Sequence, residues 1–158
     1  MSRMKLKLMS AGVLAACAIG LVTLRVAWAT PAQGFFTTLI AGPVAMEEID
    51  IKSNTDDHKI KIQTRGEWEA RVVNLRIVPG GNSGWHSHPG AVFVVVKAGT
   101  ITFHYADGTS AVHPAGTGFV EDADDVALAE NKGTTDVEAV VLFLTRAGEA
   151  PRTDEPQP

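Results

Sequence analysis

The sequence predicts an all-β domain that forms a sandwich or a barrel. Between residues 43 and 146, no segment places apolar residues at the 3.6-residue period of an amphipathic helix. Short apolar or alternating segments are instead separated by turns rich in Gly and Pro, roughly ten residues apart, which is typical of sandwiches and barrels. The length of 158 residues and the apolar content of 45% fit one globular domain.

The predicted strands follow one another along this region. An apolar lead-in occupies residues 30–42 and precedes the barrel at 43–146. In the strand expected over 68–78, the apolar residues 73, 75 and 77 are two apart and therefore share one face. The unbroken apolar stretch 92–96 is typical of a strand buried on both faces. Strands are expected over residues 46–52, 58–64, 68–78, 91–97, 100–105, 119–120 and 136–146.

Turns and the C-terminal tail complete this prediction. Asp107-Gly108 is a strong hairpin signal, and residues 114–118 form a loop before the short strand at 119. The tail over 147–158 is polar and Pro-rich, and we expect it to be disordered.

The first 29 residues carry the features of a secretory signal peptide. Basic residues up to Lys7 precede an apolar stretch over 8–24, and Ala27-Trp28-Ala29 provides small residues at a cleavage site. We therefore expect cleavage after Ala29 and an exported protein, periplasmic or extracellular. Two alternatives stay open: a lipoprotein signal lipidated at Cys17, or an uncleaved anchor tethering the protein to a membrane.

Removal of this segment changes the charge and the cysteine content. Cys17 is the only cysteine, so the remainder would have no disulfide, no thiolate ligand and no cysteine nucleophile. Four of the 14 Lys and Arg residues lie in the segment, which leaves 10 basic against 18 acidic residues and a net charge of −8. This charge argues against a nucleic acid or an anionic membrane surface as partner. Contact with a membrane is expected only through the N-terminal segment.

The most informative motif is a histidine pair after a glycine-rich loop. His86 and His88 are two residues apart, so on a strand they point to the same face. Imidazole pairs commonly begin a site for zinc, iron, manganese, copper or nickel. No serine-nucleophile, phosphate-loop or H-E-x-x-H motif competes with it.

These residues resemble the first motif of the cupin superfamily. That motif has Gly, five residues, His-x-His, three or four residues, Glu, six residues and Gly, and Gly80, His86, His88 and Gly99 occupy its positions. The segment from Gly116 to Asn131 is similar to the second motif. The resemblance covers roughly residues 43–146 and extends to small exported single-domain cupins of bacteria. It implies a double-stranded β-helix, a jelly-roll barrel with a metal at its mouth.

The chain departs from the family pattern at two ligand positions. The glutamate of the first motif falls on Val92, or on Phe93 with the longer spacing, and the histidine of the second motif falls on Ala127. Only the two histidines carry over. Two imidazoles alone are a poor metal trap, because affinity and selectivity require more ligands.

An acidic run offers replacement ligands. If residues 121–127 stay a strand, Asp125 shares a face with Ala127 and would complete a two-histidine, one-carboxylate site with His86 and His88. Glu121 is a second candidate near the rim. The alternative is that the run is a solvated acidic loop.

Further pocket residues are expected around the pair. Val92 and Ala127 occupy positions at which the cupin motifs have metal ligands, so both are expected to face the pocket. Trp85 is expected either to wall the pocket or to pack under the glycine-rich loop. His104 lies on the polar face of its strand, which is either the barrel interior or the outer surface.

Two functions of different class follow. The first is an exported cupin that binds a small molecule, with a degenerate metal site and no cofactor. The second is a metal-dependent oxygenase or isomerase that holds one divalent Fe, Mn or Zn ion and acts on a small organic substrate. The resemblance also makes a homodimer possible.

Overall fold

The computed structural model describes residues 28–158, so nearly all of the predicted signal segment lies outside the described residues. From Trp28 onward the chain forms strands and turns and no helix, which confirms the all-β prediction. Consistently, no helix with the length and hydropathy needed to cross a membrane occurs in this part of the chain. The strands are β1 (Gln33–Met46), β2 (Asp50–Asn54), β3 (Lys59–Gln63), β4 (Trp68–Asn82), β5 (His86–Ser87), β6 (Ala91–Ala98), β7 (Thr100–Tyr105), β8 (Ser110–Pro114), β9 (Gly118–Glu121), β10 (Ala127–Glu130), β11 (Val137–Arg146) and β12 (Thr153–Asp154).

Ten of these strands form one antiparallel sheet that curls into a barrel. Its main path runs β12-β5-β10-β4-β11-β6-β9, with β1 added to β4 and the β7–β8 hairpin added to β10. The β2–β3 hairpin forms a separate two-stranded sheet.

Side chains from several strands, β7 and β10 among them, fill the barrel in layers. Strands β4, β11, β6 and β9 are hydrogen-bonded in that order, and in each strand alternate residues point inward. The deepest residues, Ile77 and Val137, are completely buried, and the layer above them contains Leu75, Ala139 and Val96. Burial of these apolar side chains drives the sheet to close on itself. Charged side chains join the lining only toward the open end.

Two segments differ from the sequence prediction. The expected lead-in over 30–42 instead contributes to β1, which pairs with β4 along most of its length. The expected disordered tail contains β12, which pairs with β5 so that Thr153 lies opposite Ser87 and Asp154 opposite His86. In both segments, main-chain pairing to a distant strand orders residues whose local composition does not predict a strand.

Candidate metal centre

His86 and His88 lie together at the open end of the barrel. Both are buried, with 5% of each residue exposed, and their ring centroids are 4.8 Å apart with planes at 87°. His86 belongs to the two-residue strand β5 and His88 follows it directly, so the i, i+2 spacing directs both rings into one cavity.

Main-chain carbonyl groups fix the tautomer of both rings. His86 Nδ1 lies 3.0 Å from the Gly84 carbonyl oxygen, and His88 Nδ1 lies 2.6 Å from the Pro151 carbonyl oxygen. A carbonyl oxygen only accepts hydrogen bonds, so each Nδ1 carries a proton and donates it. In the neutral rings, the lone pair is therefore on Nε2, the nitrogen available to a ligand.

Glu121 supplies a carboxylate next to these nitrogens. It ends β9 and is the cross-strand partner of Val92 on β6. Its Oε2 atom lies 3.4 Å from His88 Nε2, and the donor atoms of His86, His88 and Glu121 all lie within 4.8 Å of one another.

The electrostatics keep His86 neutral. Burial above all, together with the positive charge of Arg152 and the neighbouring His88, lowers the pKa of His86 from 6.5 to about 3. A neutral imidazole is the form that binds metals, so protons compete little for His86 near neutral pH.

The three donors face a largely apolar cavity of about 350 Å³. This volume is at the lower end of the range for small-molecule sites, roughly 300–1,000 Å³. The charged residues that line it are Arg71, Glu121, Arg152 and Asp154. Its apolar wall includes Phe35, Val73, Val92, Val94, Ile101, Phe103, Phe119, Val141 and Phe143.

Of the two acidic candidates, the structure brings only Glu121 to the histidines. A continuous strand over 121–127, the condition for Asp125 as a ligand, is not present: β9 ends at Glu121, the chain turns at Asp124 (φ 64°), and β10 begins at Ala127. The Asp124 N–H donates to the His88 carbonyl oxygen at 2.9 Å, which holds the turn in place. Asp125 therefore lies on an exposed turn and is not a member of the donor group.

Of the expected pocket residues, some line the cavity and others do not. Val92 lines the cavity, whereas Ala127 is buried beside it and contacts a smaller hollow of about 80 Å³. His104 lies on the opposite face of β7 from the cavity-lining Ile101 and Phe103, and its Nε2 is 2.9 Å from Glu130 Oε2. It thus belongs to the outer surface.

Trp85 does not line the main cavity either. It is half-buried, and its main chain is hydrogen-bonded to Thr30 and Glu155. Its N–H donates to Thr30 Oγ1 at 2.7 Å, and its carbonyl oxygen accepts from the Glu155 N–H at 2.9 Å. Trp85 is therefore not a wall of this cavity, and packing of its indole under the glycine-rich loop stays a prediction.

Sequence reasoning missed the contribution of the C-terminal segment. Pro151, Arg152 and Asp154 line the cavity, and the Arg152 Nη2 group donates to the Ser83 carbonyl oxygen at 2.5 Å. No local signal identifies these residues, because their role depends on the pairing of β12 with β5. Arg71 was also missed, although its position two residues before Val73 on β4 predicts an inward side chain.

The three donors fit a divalent metal ion. When the His88 ring is neutral, its Nε2 and Glu121 Oε2 both present lone pairs, and an acceptor facing an acceptor at 3.4 Å is unfavourable without a proton or cation between them. Two imidazoles and one carboxylate form the donor set of many Fe, Mn and Zn sites. Ligands of one such ion lie about 2.0–2.2 Å from it, so small side-chain rotations are needed to bring the most distant donors together.

Comparisons with known proteins agree with this fold. The family model for the cupin domain (Cupin_2) matches residues 73–143, a range that contains both histidines and Glu121. A comparison with curated proteins finds no match.

Solved structures with similar folds have low sequence identity to the chain. A cupin domain from Bordetella pertussis Tohama I is 17% identical, with 73% of this chain and 96% of that chain covered and a TM-score of 0.49. A cupin-like protein from Thermotoga maritima MSB8 is also 17% identical, covers 56% and 65%, and has a TM-score of 0.49. A structure of DMSP lyases is 20% identical, covers 77% and 52%, and has a TM-score of 0.51. At these identities the likeness concerns the fold alone.

The double-stranded β-helix implied by the sequence is thereby confirmed. Residues 73–143 match the family model of the cupin domain, so the predicted cupin resemblance is confirmed for this part of the chain.

Proposed function

We propose that this protein is a metal-dependent cupin that binds a small organic molecule and acts on it. The observation that carries the proposal is the convergence of His86, His88 and Glu121, whose donor atoms lie within 4.8 Å of one another at the wall of the cavity. Three protein ligands leave coordination positions open, as catalytic metal sites require.

Each residue of the centre has a defined part in this proposal. His86 and His88 would hold the ion through Nε2, and Glu121 would contribute one negative charge. The carbonyl groups of Gly84 and Pro151 keep both Nδ1 atoms protonated, which orients the rings and raises their basicity as ligands. A bound divalent ion would supply Lewis acidity toward a substrate oxygen or a site for O₂, which suits an oxygenase or an isomerase.

The surrounding residues define where a substrate would lie. Val92 and Phe143 form an apolar surface next to Glu121 and His88, and the His88 and Phe143 ring centroids are 5.5 Å apart. Such a surface excludes water from the open coordination positions and accommodates the apolar part of a substrate.

Metal content of the purified full-length chain tests the proposal. After reconstitution with Fe(II), Mn(II) or Zn(II), we expect about one equivalent of one of these metals, as one three-ligand site requires. The His86→Ala/His88→Ala double variant and Glu121→Gln should each lose it. Asp125→Asn is the matched control and should retain the wild-type content, because Asp125 lies outside the donor group.

Wild-type protein with less than about a tenth of an equivalent of every metal would contradict the proposal. In that case the apolar cavity supports the other function predicted from the sequence, a cupin that binds a small molecule without metal chemistry. Loss of metal in Asp125→Asn but not in Glu121→Gln would show that Asp125, and not Glu121, is the carboxylate ligand.

We also propose that the protein acts outside the cytoplasm. The support is the basic start, apolar middle and Ala27-Trp28-Ala29 end of the first 29 residues. Fractionation of the producing cell, with N-terminal sequencing of the recovered protein, tests this location. Recovery in the cytoplasm with an intact N-terminus would contradict it.

A further inference from the structure

Arg71 is a charged side chain on the inward face of an otherwise apolar strand segment. It lines the cavity together with Val73 and Leu75, the next two inward residues of β4. Arginine is seldom placed against a barrel interior without a partner for its charge, and Glu69 of the same strand is the partner of Arg71. This ion pair accounts for the charge of Arg71 but not for its place in the cavity wall.

Arg71 and Glu121 lie at the two ends of one cross-strand row. Arg71 is opposite Phe143, Phe143 is opposite Val92, and Val92 is opposite Glu121. Three strand spacings of about 4.8 Å separate the end residues by roughly 14 Å along the sheet, and by less across the cavity because the sheet is curved. The row thus has a cationic end, an apolar middle and an end that belongs to the metal centre.

The guanidinium group of Arg71 is only partly hydrogen-bonded. Its Nη2 group donates to Glu69 Oε1 at 3.1 Å, and within residues 28–158 neither Nε nor Nη1 has a hydrogen-bond partner. About 24% of the side chain is exposed, so these donors are accessible from the cavity mouth. An arginine with free planar donors is suited to a carboxylate.

The charges around the cavity leave room for one anion. Glu69 compensates Arg71, and Asp154 compensates Arg152, whose Nη2 is 2.7 Å from Asp154 Oδ1. The donor group then carries one negative charge from Glu121, and a divalent ion would bring it to one positive charge. A ligand with a single negative charge would neutralise the site.

We propose that the cavity selects a small organic carboxylate with an apolar body, and that Arg71 is the residue that binds the carboxylate. The apolar body lies over Val92 and Phe143, and the far end of the molecule reaches the metal centre. This last part and the charge balance rest on the proposed function, whereas the cavity and Arg71 are present whether or not a metal binds. Arg152 is less suited to this role, since Asp154 and the Ser83 carbonyl oxygen already accept from its Nε and Nη2 groups.

Calorimetry with straight-chain carboxylates from butyrate to octanoate, and with the matching primary amides, tests this specificity. The full-length chain is measured with and without one equivalent of Zn²⁺, a redox-inert probe metal. We expect wild type to prefer a carboxylate over its amide by about tenfold or more, as charge-assisted hydrogen bonds allow. Arg71→Met should reduce this preference to less than about twofold while leaving Zn²⁺ binding unchanged.

Three further variants separate recognition from folding. Arg76→Gln is the matched control, because Arg76 is exposed on the outer face of the same strand and pairs with Asp136. It should keep the preference. Glu69→Gln/Arg71→Gln removes both partners of the ion pair and should fold and lose the preference even if Arg71→Met unfolds. Arg152→Gln should keep it.

Several outcomes would overturn the proposal. It fails if wild type binds no carboxylate, binds carboxylates and amides equally, or loses the preference only in Arg152→Gln. Loss of Zn²⁺ binding in wild type with an intact carboxylate preference would contradict the metal-dependent function and leave the role of Arg71 standing. Zn²⁺ binding without a carboxylate preference would contradict the role of Arg71 and leave the metal-dependent function standing.

Discussion

Glu121 on β9 is the cross-strand partner of Val92 on β6. With the shorter of the two motif spacings, Val92 occupies the position that the cupin resemblance assigns to a glutamate, so the carboxylate is displaced by one strand. Cβ atoms of cross-strand partners are about 4.5–5.5 Å apart, a distance that one long side chain spans. The barrel thus places a carboxylate near His88 although the family position is apolar.

This relationship predicts that the carboxylate can be moved back. Glu121→Val should lose metal binding, and Val92→Glu added to Glu121→Val should restore at least part of it, because both positions face the same cavity wall. Zn²⁺ affinity measured by competition with a chelator checks the outcome, and thermal unfolding shows whether each variant is folded.

Val94→Glu added to Glu121→Val is the control for this exchange. Val94 is opposite Phe119, one layer deeper in the barrel, so a carboxylate there should not restore affinity. Equal rescue from positions 92 and 94 would show that proximity in the cavity, and not the cross-strand relationship, determines the ligand.

The lowered pKa of His86 predicts a pH dependence of stability in the metal-free protein. The folded state keeps His86 neutral down to about pH 3, whereas the unfolded chain takes up a proton near pH 6.5. The free energy of unfolding should therefore be fully retained above about pH 6.5 and decrease as the pH falls from there toward 3, with a slope approaching about 1.4 kcal/mol per pH unit. Urea unfolding at pH 7.0, 6.0 and 5.0 with a chelator present measures this slope.

His86→Gln should flatten the dependence over the same range. Above about pH 5 few carboxylates titrate, so most of the difference between the two proteins would come from this imidazole. Parallel slopes in wild type and His86→Gln would contradict the assignment of the pH dependence to His86.

The strands that the sequence predicted well are those with uninterrupted patterns. The expected strand at 100–105 has the same bounds as β7, and the expected strand at 136–146 differs from β11 by one residue. In contrast, β1 was missed. Its pattern is broken by register shifts after Leu39 and Ala41, and several of its apolar side chains are more than half exposed.

The candidate site shows the same division between local and distant information. The histidine pair follows from spacing within one strand, which is a local property. The choice between Glu121 and Asp125 depends on where β9 ends and on its register with β6, and neither is encoded in the acidic run itself. The carbonyl group of Pro151 is 63 residues from His88 along the chain. Its contact depends on the path of the tail and gives no sequence signal.

The buried amide of Asn131 predicts a large stability effect outside the candidate metal centre. Asn131 is completely buried, and its Nδ2 group donates to the carbonyl oxygens of Ile77 and Thr135 at 2.8 Å each. Asn131→Ala should lower the free energy of unfolding by about 2–3 kcal/mol, because both carbonyl groups lose a buried donor. Asn131→Asp should cost at least as much, since it directs an acceptor at two acceptors. Urea unfolding at pH 7 checks both values.

Asn74→Ala is the reference for this measurement. Asn74 is exposed on the outer face of β4, and its removal should change stability by less than about 0.5 kcal/mol. Similar losses in Asn74→Ala and Asn131→Ala would contradict a special role for the buried amide.

Gly84 links the backbone of the glycine-rich loop to the candidate metal centre. Its φ of +68° lies in the left-handed region, and a Cβ there would collide with the Thr30 carbonyl oxygen and lie 3.1 Å from the Ala32 nitrogen. Gly84→Ala should therefore cost about 1–3 kcal/mol of stability and displace the carbonyl group that orients His86. Gly108→Ala has a similar φ of +84° in open space and should cost only the backbone strain. Equal effects on Zn²⁺ affinity in the two variants would contradict the link.

The C-terminal segment predicts that metal affinity depends on residues beyond the cupin match. A chain ending at Ala150 lacks the Pro151 carbonyl group, so His88 Nδ1 loses its acceptor and its ring loses its fixed orientation. It also loses the Ser87 Oγ donation to Glu155 Oε1 at 2.9 Å, which holds the segment against β5. Zn²⁺ affinity should fall by about 10- to 100-fold, the usual effect of removing a hydrogen-bond partner from a ligating histidine.

A chain ending at Pro156 keeps both contacts and should bind Zn²⁺ as the full chain does. Unchanged affinity in the shorter chain would show that the segment covers the site without orienting His88.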